Sequence, residues 1–330
     1  MTEEIDRLQS IARQNFGFYP TPLEEMGRLR ALLGDRAPRL LIKRDDYTGF
    51  GLGGNKVRKL EYELAPERVR DVDVLITTGG YGSNHARVTA AAAARLGKQC
   101  ILVLNGTRPQ PERGNAFLQR FFGAQIVNVP DRAARNPKMA ELATQLAAEG
   151  KRALVVPLGA STSQGALGYV RAAVELSDQI ATTQLDNGNV VIIVSASSAG
   201  TLAGLLLGLS LTELRRTRLI GVSADDPADQ VRQSALDIAY GSAAIVGADF
   251  VAMDSEPSVT DAYVGGGYGV PTPASQEAIE LFAHNEGVAL DPVYSAKAAA
   301  CLIDWVRRGE FSPADNVIFW HTGGWPSLLT

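Results

Sequence analysis

Short runs of Val, Ile and Leu alternate along the chain with longer amphipathic or alanine-rich segments. Continuous apolar runs of this length predict strands that are buried on both faces. The predicted strands begin at residues 73, 100, 124, 152, 190, 218 and 316, with the sequences "DVLITTGG", "CILVLNG", "AQIVNV", "RALVVPLG", "VVIIVSAS", "RLIGVSA" and "NVIFWHTGG". Such alternation predicts an α/β protein with parallel sheets covered by helices.

The segments between these strands carry helix signals. Ser83 is a suitable N-cap for the alanine-rich run that ends at Gly97. Further helices are predicted near residues 112–122, 138–149, 198–210 and 228–240. We see no internal repeat and no low-complexity linker. The pattern therefore predicts compact α/β units along the whole chain.

Five loops are conspicuously small, polar or rich in glycine. In parallel sheets, ligands bind where strands end and helices begin. A structural explanation, in which glycines end strands and cap helices, accounts for any single loop but less readily for all of them. We therefore expect one crevice to be formed by the loops at residues 49–56, 79–85, 195–201, 265–269 and 321–324.

Composition and charge narrow the class of protein. The chain has 330 residues, of which 45% are hydrophobic and 21% charged, and a formal net charge of −4. These values indicate one large or two ordinary globular domains and argue against binding to nucleic acid or a membrane surface. Cys100 and Cys301 lie in apolar runs and are expected to be buried thiols in a reducing compartment. With no signal-like N-terminus and no apolar run near ~20 residues, a cytoplasmic protein is predicted.

The loop "GFGLGGNKVRKLE" admits three interpretations. Gly49, Gly51 and Gly54 match the G-x-G-x-x-G dinucleotide pattern, but that pattern must follow a hydrophobic strand, and the preceding letters "KRDDYT" are mostly charged. A triphosphate loop needs a lysine directly after its last glycine and then a hydroxyl residue. Here Asn55 precedes the lysine and Val57 stands where the hydroxyl should be. Both phosphate-loop interpretations are therefore weak.

The third interpretation makes the lysine itself reactive. A free lysine has a pKa near ~10.4, so deprotonating it at pH 7 costs about 4–5 kcal/mol. Glycine-lined, partly desolvated surroundings lower that cost for Lys56, and an aldehyde cofactor then captures the neutral amine. A pyridoxal phosphate enzyme also needs a phosphate-binding helix start, which "SASSAGTLAG" at residues 195–204 can supply. Polar residues for the ring and the substrate occur in "GSNH", "DPVYS" and "HTGG".

Seven motifs, in order and across nearly the whole chain, carry a specific resemblance. They are "TPLE" (21–24), "IKRDDYTGFGLGGNKVRKLE" (42–61), "GSNHARVTAAAAARLG" (82–97), "SAGTLAGL" (198–205), "GYGVPT" (267–272), "DPVYSAKA" (291–298) and "HTGGWPSL" (321–328). The sequence resembles the family of 1-aminocyclopropane-1-carboxylate deaminases and D-cysteine desulfhydrases. These are pyridoxal phosphate enzymes of the tryptophan-synthase-β-like fold, also called fold type II.

The resemblance implies an architecture. We expect two three-layer α/β domains with parallel-rich twisted sheets. Residues 1–56 and 165–330 would form the larger, pyridoxal-phosphate-binding domain, and residues 57–164 a smaller inserted α/β domain. Known members are homodimers, so a homodimer is expected here as well.

The resemblance also implies residue roles. Lys56 would hold the cofactor covalently and move the Cα proton. Catalytic roles are implied for Lys56, Ser83, Tyr268 and Tyr294. Cofactor contacts are implied for Lys56, Lys59, Asn84, Ser198, Ala199, Gly200, Thr201, Ser295 and Thr322. Substrate contacts are implied for Ser83, Asn84, His85, Tyr268 and Tyr294. No Cys/His spacing suggests a metal site.

Departures from the family pattern bear on the substrate. Deaminases that open the cyclopropane ring carry a glutamate directly after the tyrosine of "DPVY", where this chain has Ser295. A hydroxyl favours protonation of the pyridine nitrogen less than a carboxylate does, and this weaker electron sink still suffices for β-elimination. Gly82 precedes Ser83, where many desulfhydrases have glutamine, and Gly266 stands where relatives often have glutamate. The enantiomer and the leaving group therefore stay open.

The predicted function is β-elimination from a small amino acid, with D-cysteine giving pyruvate, ammonia and sulfide. Alternatives within the class are an L-cysteate sulfo-lyase, 1-aminocyclopropane-1-carboxylate deaminase, elimination from D-serine or chloroalanine, and an amino-acid racemase. A non-catalytic relative that binds an amino acid or cofactor is the alternative from another class. A sulfonate substrate would require a further cation near Ser83, for which Arg87 is a candidate. Asp45 and Asp46 are interpreted as structural ion-pair partners.

Overall fold

The computed structural model describes residues 2–183, 185, 188–251 and 257–329. Within these ranges the chain forms ten strands. They are β1 (Leu23–Glu25), β2 (Arg39–Arg44), β3 (Val74–Gly80), β4 (Gln99–Asn105), β5 (Gln125–Val129), β6 (Ala153–Val155), β7 (Val190–Ala196), β8 (Arg218–Ser223), β9 (Ser258–Thr260) and β10 (Asn316–His321).

The same ranges contain twelve α-helices, which alternate with the strands for most of the chain. They are α1 (Glu3–Ser10), α2 (Gly27–Leu33), α3 (Lys56–Glu63), α4 (Pro66–Val69), α5 (Asn84–Arg95), α6 (Gly114–Phe121), α7 (Arg135–Ala148), α8 (Ser163–Thr182), α9 (Gly200–Ser210), α10 (Ala228–Val246), α11 (Pro273–Glu286) and α12 (Ser295–Arg308).

The strands form two sheets. The larger has the order β1-β2-β10-β7-β8-β9 and the smaller the order β5-β4-β3-β6. Apart from the antiparallel β1–β2 pair, neighbouring strands of the described chain are parallel. The predicted parallel-rich α/β fold is confirmed. All strands of the smaller sheet lie inside the 57–164 segment that the sequence assigns to an inserted domain.

Helices cover both faces of each sheet. In the larger unit, one core contains residues of α8, α9 and α10, and the core on the opposite face contains residues of α11 and α12. In the smaller unit, α5 and α6 contribute to one core and α7 to the other. Helix α3 joins the two units, because Tyr62 belongs to a core of the larger one while Val57 and Leu60 belong to a core of the smaller one. Lys56 is the first residue of this shared helix.

The sequence prediction missed several elements, and β2 is the informative case. Its sequence "RLLIKR" pairs in parallel with β10, and all of its residues except the first are buried. Lys43 can be buried there because its Nζ lies 2.5 Å from Oε1 of Glu175. The first two of the charged letters "KRDDYT" before the glycine loop thus end a buried strand that the sequence prediction did not include. The loop still does not follow the strand directly, because residues 45–48 form an intervening 3-10 turn.

Two further expectations concern the cysteines and membrane-spanning helices. Cys100 and Cys301 are free and buried, as predicted from their apolar neighbours. Across the described ranges, no helix combines the length and the apolar character that a membrane crossing requires.

Candidate active site

The glycines of the loop at residues 49–56, called the lysine loop below, allow close contacts between backbone segments. Gly53 has φ +71°, and a Cβ placed on it would lie 2.1 Å from the carbonyl oxygen of Asp46. Gly323, in the "HTGG" loop, has φ +82°, and its Cβ would lie 2.6 Å from Cα of Gly54. Asn55 N donates to the carbonyl of Thr322 at 2.9 Å. The loop at residues 49–56 is thus held against the loop at residues 321–324, and this contact sets where Lys56 lies.

Lys56 is held as a readily deprotonated amine. Its Nζ donates to Oδ1 of Asn55 at 2.9 Å, and Asn55 Nδ2 donates to Oγ1 of Thr201 at 3.0 Å. Burial lowers the pKa of Lys56 to about 8, with Asp291 opposing the shift and Arg87 adding to it. The neutral amine is therefore accessible near physiological pH, as the third interpretation of the loop requires.

The turn before α9 combines a helix N-terminus with a nearby buried lysine. Ala199 precedes the helix in the left-handed conformation, at φ +61°. Lys59 Nζ donates to Oγ of Ser161 at 3.0 Å, and that hydroxyl lies 2.8 Å from Oγ of Ser198. Lys59 is buried, and no acidic side chain of the described ranges pairs with it. Burial, and then the charge of Lys56, lower the pKa of Lys59 well below its usual range.

The start of α5 brings Ser83 and Asn84 to the cavity wall. Ser83 is its N-cap and accepts from the backbone N–H of Ala86 at 3.1 Å. Oδ1 of Asn84 accepts from Nδ2 of Asn115 at 2.9 Å. Because the oxygen edge of this amide is engaged, its Nδ2 edge is the one left to donate to a ligand.

His85 is fixed in one neutral tautomer. The hydroxyl of Thr77 donates to the carbonyl of Val156 at 2.7 Å, so it accepts from Nε2 of His85 at 2.8 Å. The proton therefore sits on Nε2, and Nδ1 is buried with no hydrogen-bond partner among the described residues. Burial, reinforced by Lys56 and Lys59, keeps the pKa of His85 well below its usual range.

Tyr268 and Tyr294 form a hydrogen-bonded pair. Their hydroxyl oxygens lie 2.5 Å apart, and their rings meet edge to face with centroids 5.9 Å apart. Nζ of Lys56 lies 6.0 Å from the centroid of the Tyr294 ring. Desolvation raises the pKa of both tyrosines, so both hydroxyls stay protonated at neutral pH.

One cavity of about 320 Å³ brings most of the predicted site residues together. Its wall includes Lys56, Lys59, Ser83, Asn84, His85, Ser198, Ala199, Thr201, Tyr268, Tyr294 and Thr322. Gly200 is not in the wall, but its backbone N–H is the first of α9 and lies 3.3 Å from Oγ of Ser161.

Ser295 is the predicted cofactor contact that the structure does not bring to the cavity. It starts α12, is buried, and donates from Oγ to Oδ1 of Asp291 at 2.6 Å. Its backbone N–H donates to the same carboxylate at 2.7 Å. The hydroxyl that does reach the wall is that of Thr322, which lies 3.0 Å from Oγ of Ser195.

Several wall or supporting residues escaped the sequence prediction. Asn55 directly precedes the lysine, and Ser161 lies in the polar stretch "GASTS" after a predicted strand, so a signal existed for both. Arg132 and Arg135 also line the cavity, and nothing in their local sequence indicated it. The residues for which no role was predicted include Asn115, Arg132, Arg135, Ser161, Asp225 and Asp226, and also Asn55 and Ser195, which lie in loops that were expected to form the crevice.

Three charged residues that the sequence analysis considered lie outside the cavity wall. Arg87 is buried and donates to the carbonyls of Gly51 and Gly53, the latter at 3.1 Å, so it holds the lysine loop and is not in the cavity wall. This location argues against Arg87 as a contact for a sulfonate substrate. Asp45 and Asp46 are ion-pair partners, as predicted, of Arg58 at 2.8 Å and Arg44 at 2.7 Å respectively.

Comparison with known proteins gives matches over almost the whole chain. A family model described as pyridoxal-phosphate dependent enzyme matches residues 15–323. D-cysteine desulfhydrase from Yersinia enterocolitica is 40% identical over 317 residues, covering 94% of this chain and 92% of the relative. D-cysteine desulfhydrase from Salmonella typhimurium is 37% identical over 330 residues, covering 98% of each.

Solved structures also match this chain over almost its whole length. The crystal structure of a protein described as an ACC deaminase homologue superposes with a TM-score of 0.89 at 34% identity, covering 100% of this chain and 97% of that one. A pyridoxal 5'-phosphate-dependent aspartate racemase superposes with a TM-score of 0.67 at 17% identity, a likeness of fold alone.

Proposed function

Because the chain belongs to the family of pyridoxal-phosphate-dependent enzymes, we propose that it catalyses β-elimination from a small amino acid, with D-cysteine as the substrate. The observation that supports this chemistry is geometric: Lys56, hydrogen-bonded to Asn55, lies in the same cavity as the buried Lys59 and the turn before α9. The substrate comes from the relatives, whose name is D-cysteine desulfhydrase. The net reaction converts cysteine and water into pyruvate, ammonia and hydrogen sulfide.

The residues present fit the phosphate of the cofactor. Lys59 is a buried amine without an acidic partner in the described chain, beside the N-terminus of α9. A helix N-terminus and a buried ammonium both favour an anion. Ser198, Thr201 and the backbone of Gly200 would hold the phosphate together with Lys59.

The residues present also fit the ring. Asn84 has a free donor edge for the phenolic oxygen, and the Thr322–Ser195 hydroxyl pair would face the pyridine nitrogen. Thr322 thus takes the place that the sequence assigned jointly to it and Ser295. When bound, pyridoxal phosphate supplies an aldehyde that captures amines and a ring that withdraws electrons from Cα. A hydroxyl at the ring nitrogen suits elimination of a good leaving group better than ring opening.

Three side chains would carry the proton transfers. Nζ of Lys56 is neutral in an appreciable fraction near pH 7–8 and would take the proton from Cα. The Tyr268–Tyr294 pair keeps its hydroxyl protons and would donate one to the departing sulfur. Ser83, at the start of α5, would hold the substrate carboxylate together with the backbone N–H groups there.

Product identification tests this proposal. Purified, cofactor-loaded protein would be offered D-cysteine, L-cysteate and 1-aminocyclopropane-1-carboxylate separately, and keto acids would be identified by mass spectrometry. We expect pyruvate from D-cysteine. The Lys56→Ala variant should lose at least about 10³-fold of the rate, since general acid–base catalysis alone contributes 10²–10⁴-fold. The Lys138→Ala variant, at a surface ion pair with Glu141, is the matched control.

Other products would overturn the proposal. Formation of 2-oxobutanoate from the cyclopropane would identify a deaminase. Interconversion of enantiomers without keto acid would identify a racemase. Full turnover by Lys56→Ala would remove the lysine from the reaction.

We also propose that the protein is a cytoplasmic homodimer in which residues 57–164 form a distinct domain. Support comes from the family resemblance and from the smaller sheet, whose strands all lie inside that segment. Sedimentation equilibrium should give twice the mass of one chain. A monomer mass would contradict the dimer.

A further inference from the structure

The wall of the cavity contains an arginine for which the proposed reaction gives no role. Arg135 is the first residue of α7 and lines the cavity together with Lys56, Tyr268 and Tyr294. Oδ1 of Asn105, at the end of β4, accepts from Nε of Arg135 at 2.8 Å and also from Nη2. One edge of the guanidinium is thereby fixed. Its remaining nitrogen, Nη1, makes no hydrogen bond to any described residue.

The charge of Arg135 has no carboxylate partner. Within the described ranges it forms no ion pair. The neighbouring Arg132 is paired, with Nη1 2.7 Å from Oδ2 of Asp225 and its guanidinium 5.0 Å from the centroid of the Tyr268 ring. The other acid of the wall is Asp226, and burial together with the charge of Asp225 raises its pKa. Arg135 therefore remains the arginine of this wall that is available to an anion.

The surroundings of Arg135 strengthen its attraction for an anion. Burial, and then the charge of Arg132, lower its pKa, whereas Tyr268, Tyr294 and, more weakly, Asp225 raise it, although Asp225 is paired with Arg132. A guanidinium that has lost part of its hydration binds carboxylates and sulfonates through charge-assisted hydrogen bonds. The two tyrosines are the residues that we place beside the leaving group.

We propose that Arg135 is a specificity-determining residue that binds a negatively charged β-substituent of the substrate. This inference rests on the proposed function and deepens it. The proposed substrates are amino acids whose β-carbon carries a negatively charged group. Cysteine has such a group in its thiolate form, and a sulfonate is fully ionised. With a sulfonate, the C–S bond breaks with both electrons leaving on sulfur, and water completes the formation of pyruvate, ammonia and sulfite. No oxidant or reductant is needed.

Binding of a matched pair of amino acids tests the subsite without relying on turnover. Aspartate and asparagine have the same shape and differ in the charge on the β-substituent. Isothermal titration of the cofactor-loaded protein with both enantiomers of each should show about tenfold or more tighter binding of one aspartate enantiomer, as a charge-assisted hydrogen bond provides. Arg135→Gln should remove this preference. Arg132→Gln, which changes an arginine already paired with Asp225, should retain it.

The outcomes separate the subsite from the reaction. Equal affinities of wild-type protein for aspartate and asparagine would overturn the subsite, even if D-cysteine yields pyruvate. A preference for aspartate in a protein that makes no keto acid would support the subsite and overturn the proposed lyase. A preference that survives in Arg135→Gln would also overturn the assignment. If Arg135→Gln fails to fold, the comparison of aspartate with asparagine in the wild-type protein still tests the subsite.

Discussion

At the scale of single residues, two lysines of one helix have different surroundings and suit different roles. Lys56 and Lys59 lie three positions apart on α3, so they point to the same side of it, into one cavity. Burial lowers the pKa of both. Asp291 acts on Lys56, whereas no acid of the described chain pairs with Lys59. Lys56 is suited to react as a neutral amine, and Lys59 is suited to neutralise a phosphate.

We predict that Lys59→Met weakens binding of pyridoxal phosphate by about 10–100-fold, the range expected for losing a hydrogen bond to a charged group. The free energy of unfolding of the cofactor-free protein should not fall, because the change removes a buried amine that no carboxylate neutralises. Spectrophotometric titration gives the affinity and urea unfolding the stability. Lys138→Met, at a surface ion pair with Glu141, is the control. Unchanged affinity would remove Lys59 from the phosphate site.

The lowered pKa of Lys56 gives a prediction about pH. Raising the pH deprotonates the amine, so with a pKa of about 8 the neutral fraction rises about tenfold between pH 7 and pH 9. The rate at which pyridoxal phosphate attaches to cofactor-free protein should rise by the same factor and level off above pH 9. Stopped-flow absorbance measures this rate. An unperturbed lysine, for which a small alkylamine is the control, would show about a 100-fold rise without levelling.

At the scale of elements, a buried ionic network fixes the position of α3. Asp45 follows β2, and Arg58 of α3 donates to both of its carboxylate oxygens, at 2.8 and 3.0 Å. The same carboxylate accepts from Tyr169 of α8 at 2.5 Å and from Trp320 of β10 at 2.8 Å. Four elements thus meet at one side chain. The helix that carries Lys56 is held by charge as well as by packing.

We predict that Asp45→Asn lowers the free energy of unfolding by about 1.5–3 kcal/mol at pH 7, the range for hydrogen bonds to a charged group. The amide no longer pairs with the buried Arg58, whose other carboxylate partner, Glu175 at 2.9 Å, remains. The pKa of Asp45 is lowered to about 2 by Arg58 despite its burial. Its folded pKa lies below the unfolded value near ~3.9, so its ionic contribution is complete above about pH 4 and is lost as the pH falls through about 2.

Urea unfolding at several pH values measures this effect. The difference between wild type and Asp45→Asn should shrink below pH 4. The control, Asp229→Asn at an exposed ion pair with Arg232, should change stability by less than about 1 kcal/mol. A pH-independent difference would mean that the ionised carboxylate is not what the network uses.

At the scale of the whole molecule, the cavity is shared by the two units. Its wall takes the turn before α9 from the larger unit, the start of α5 from the smaller unit, and Lys59 from α3, which packs against both. The hydrophobic side chains of α3 belong to cores of both. Filling the cavity should therefore stabilise both units together.

We predict that pyridoxal phosphate at a hundred times its dissociation constant raises the free energy of unfolding by about 2.7 kcal/mol. The melting temperature should rise by a few degrees in one transition. Differential scanning calorimetry measures this, with Lys59→Met at the same cofactor concentration as the control. A shift in only part of the transition would show that the ligand contacts one unit alone.

Apolar runs, helix caps and glycine-rich turns at strand ends were enough to predict the parallel α/β fold and the loops that form the cavity. The family resemblance, and not these local signals, implied the roles of Lys56 and of the other wall residues, and those roles stay predictions. Tertiary contacts decided the rest. Glu175 lets Lys43 sit inside β2, although 132 positions separate the two. Ser295 donates to Asp291 and is not in the cavity wall, and Arg87 faces the glycine loop. Arg135 reaches the cavity because Asn105, which is 30 positions away, holds it there. A side chain's direction depends on the partners that folding brings to it, and spacing along the chain does not specify those partners.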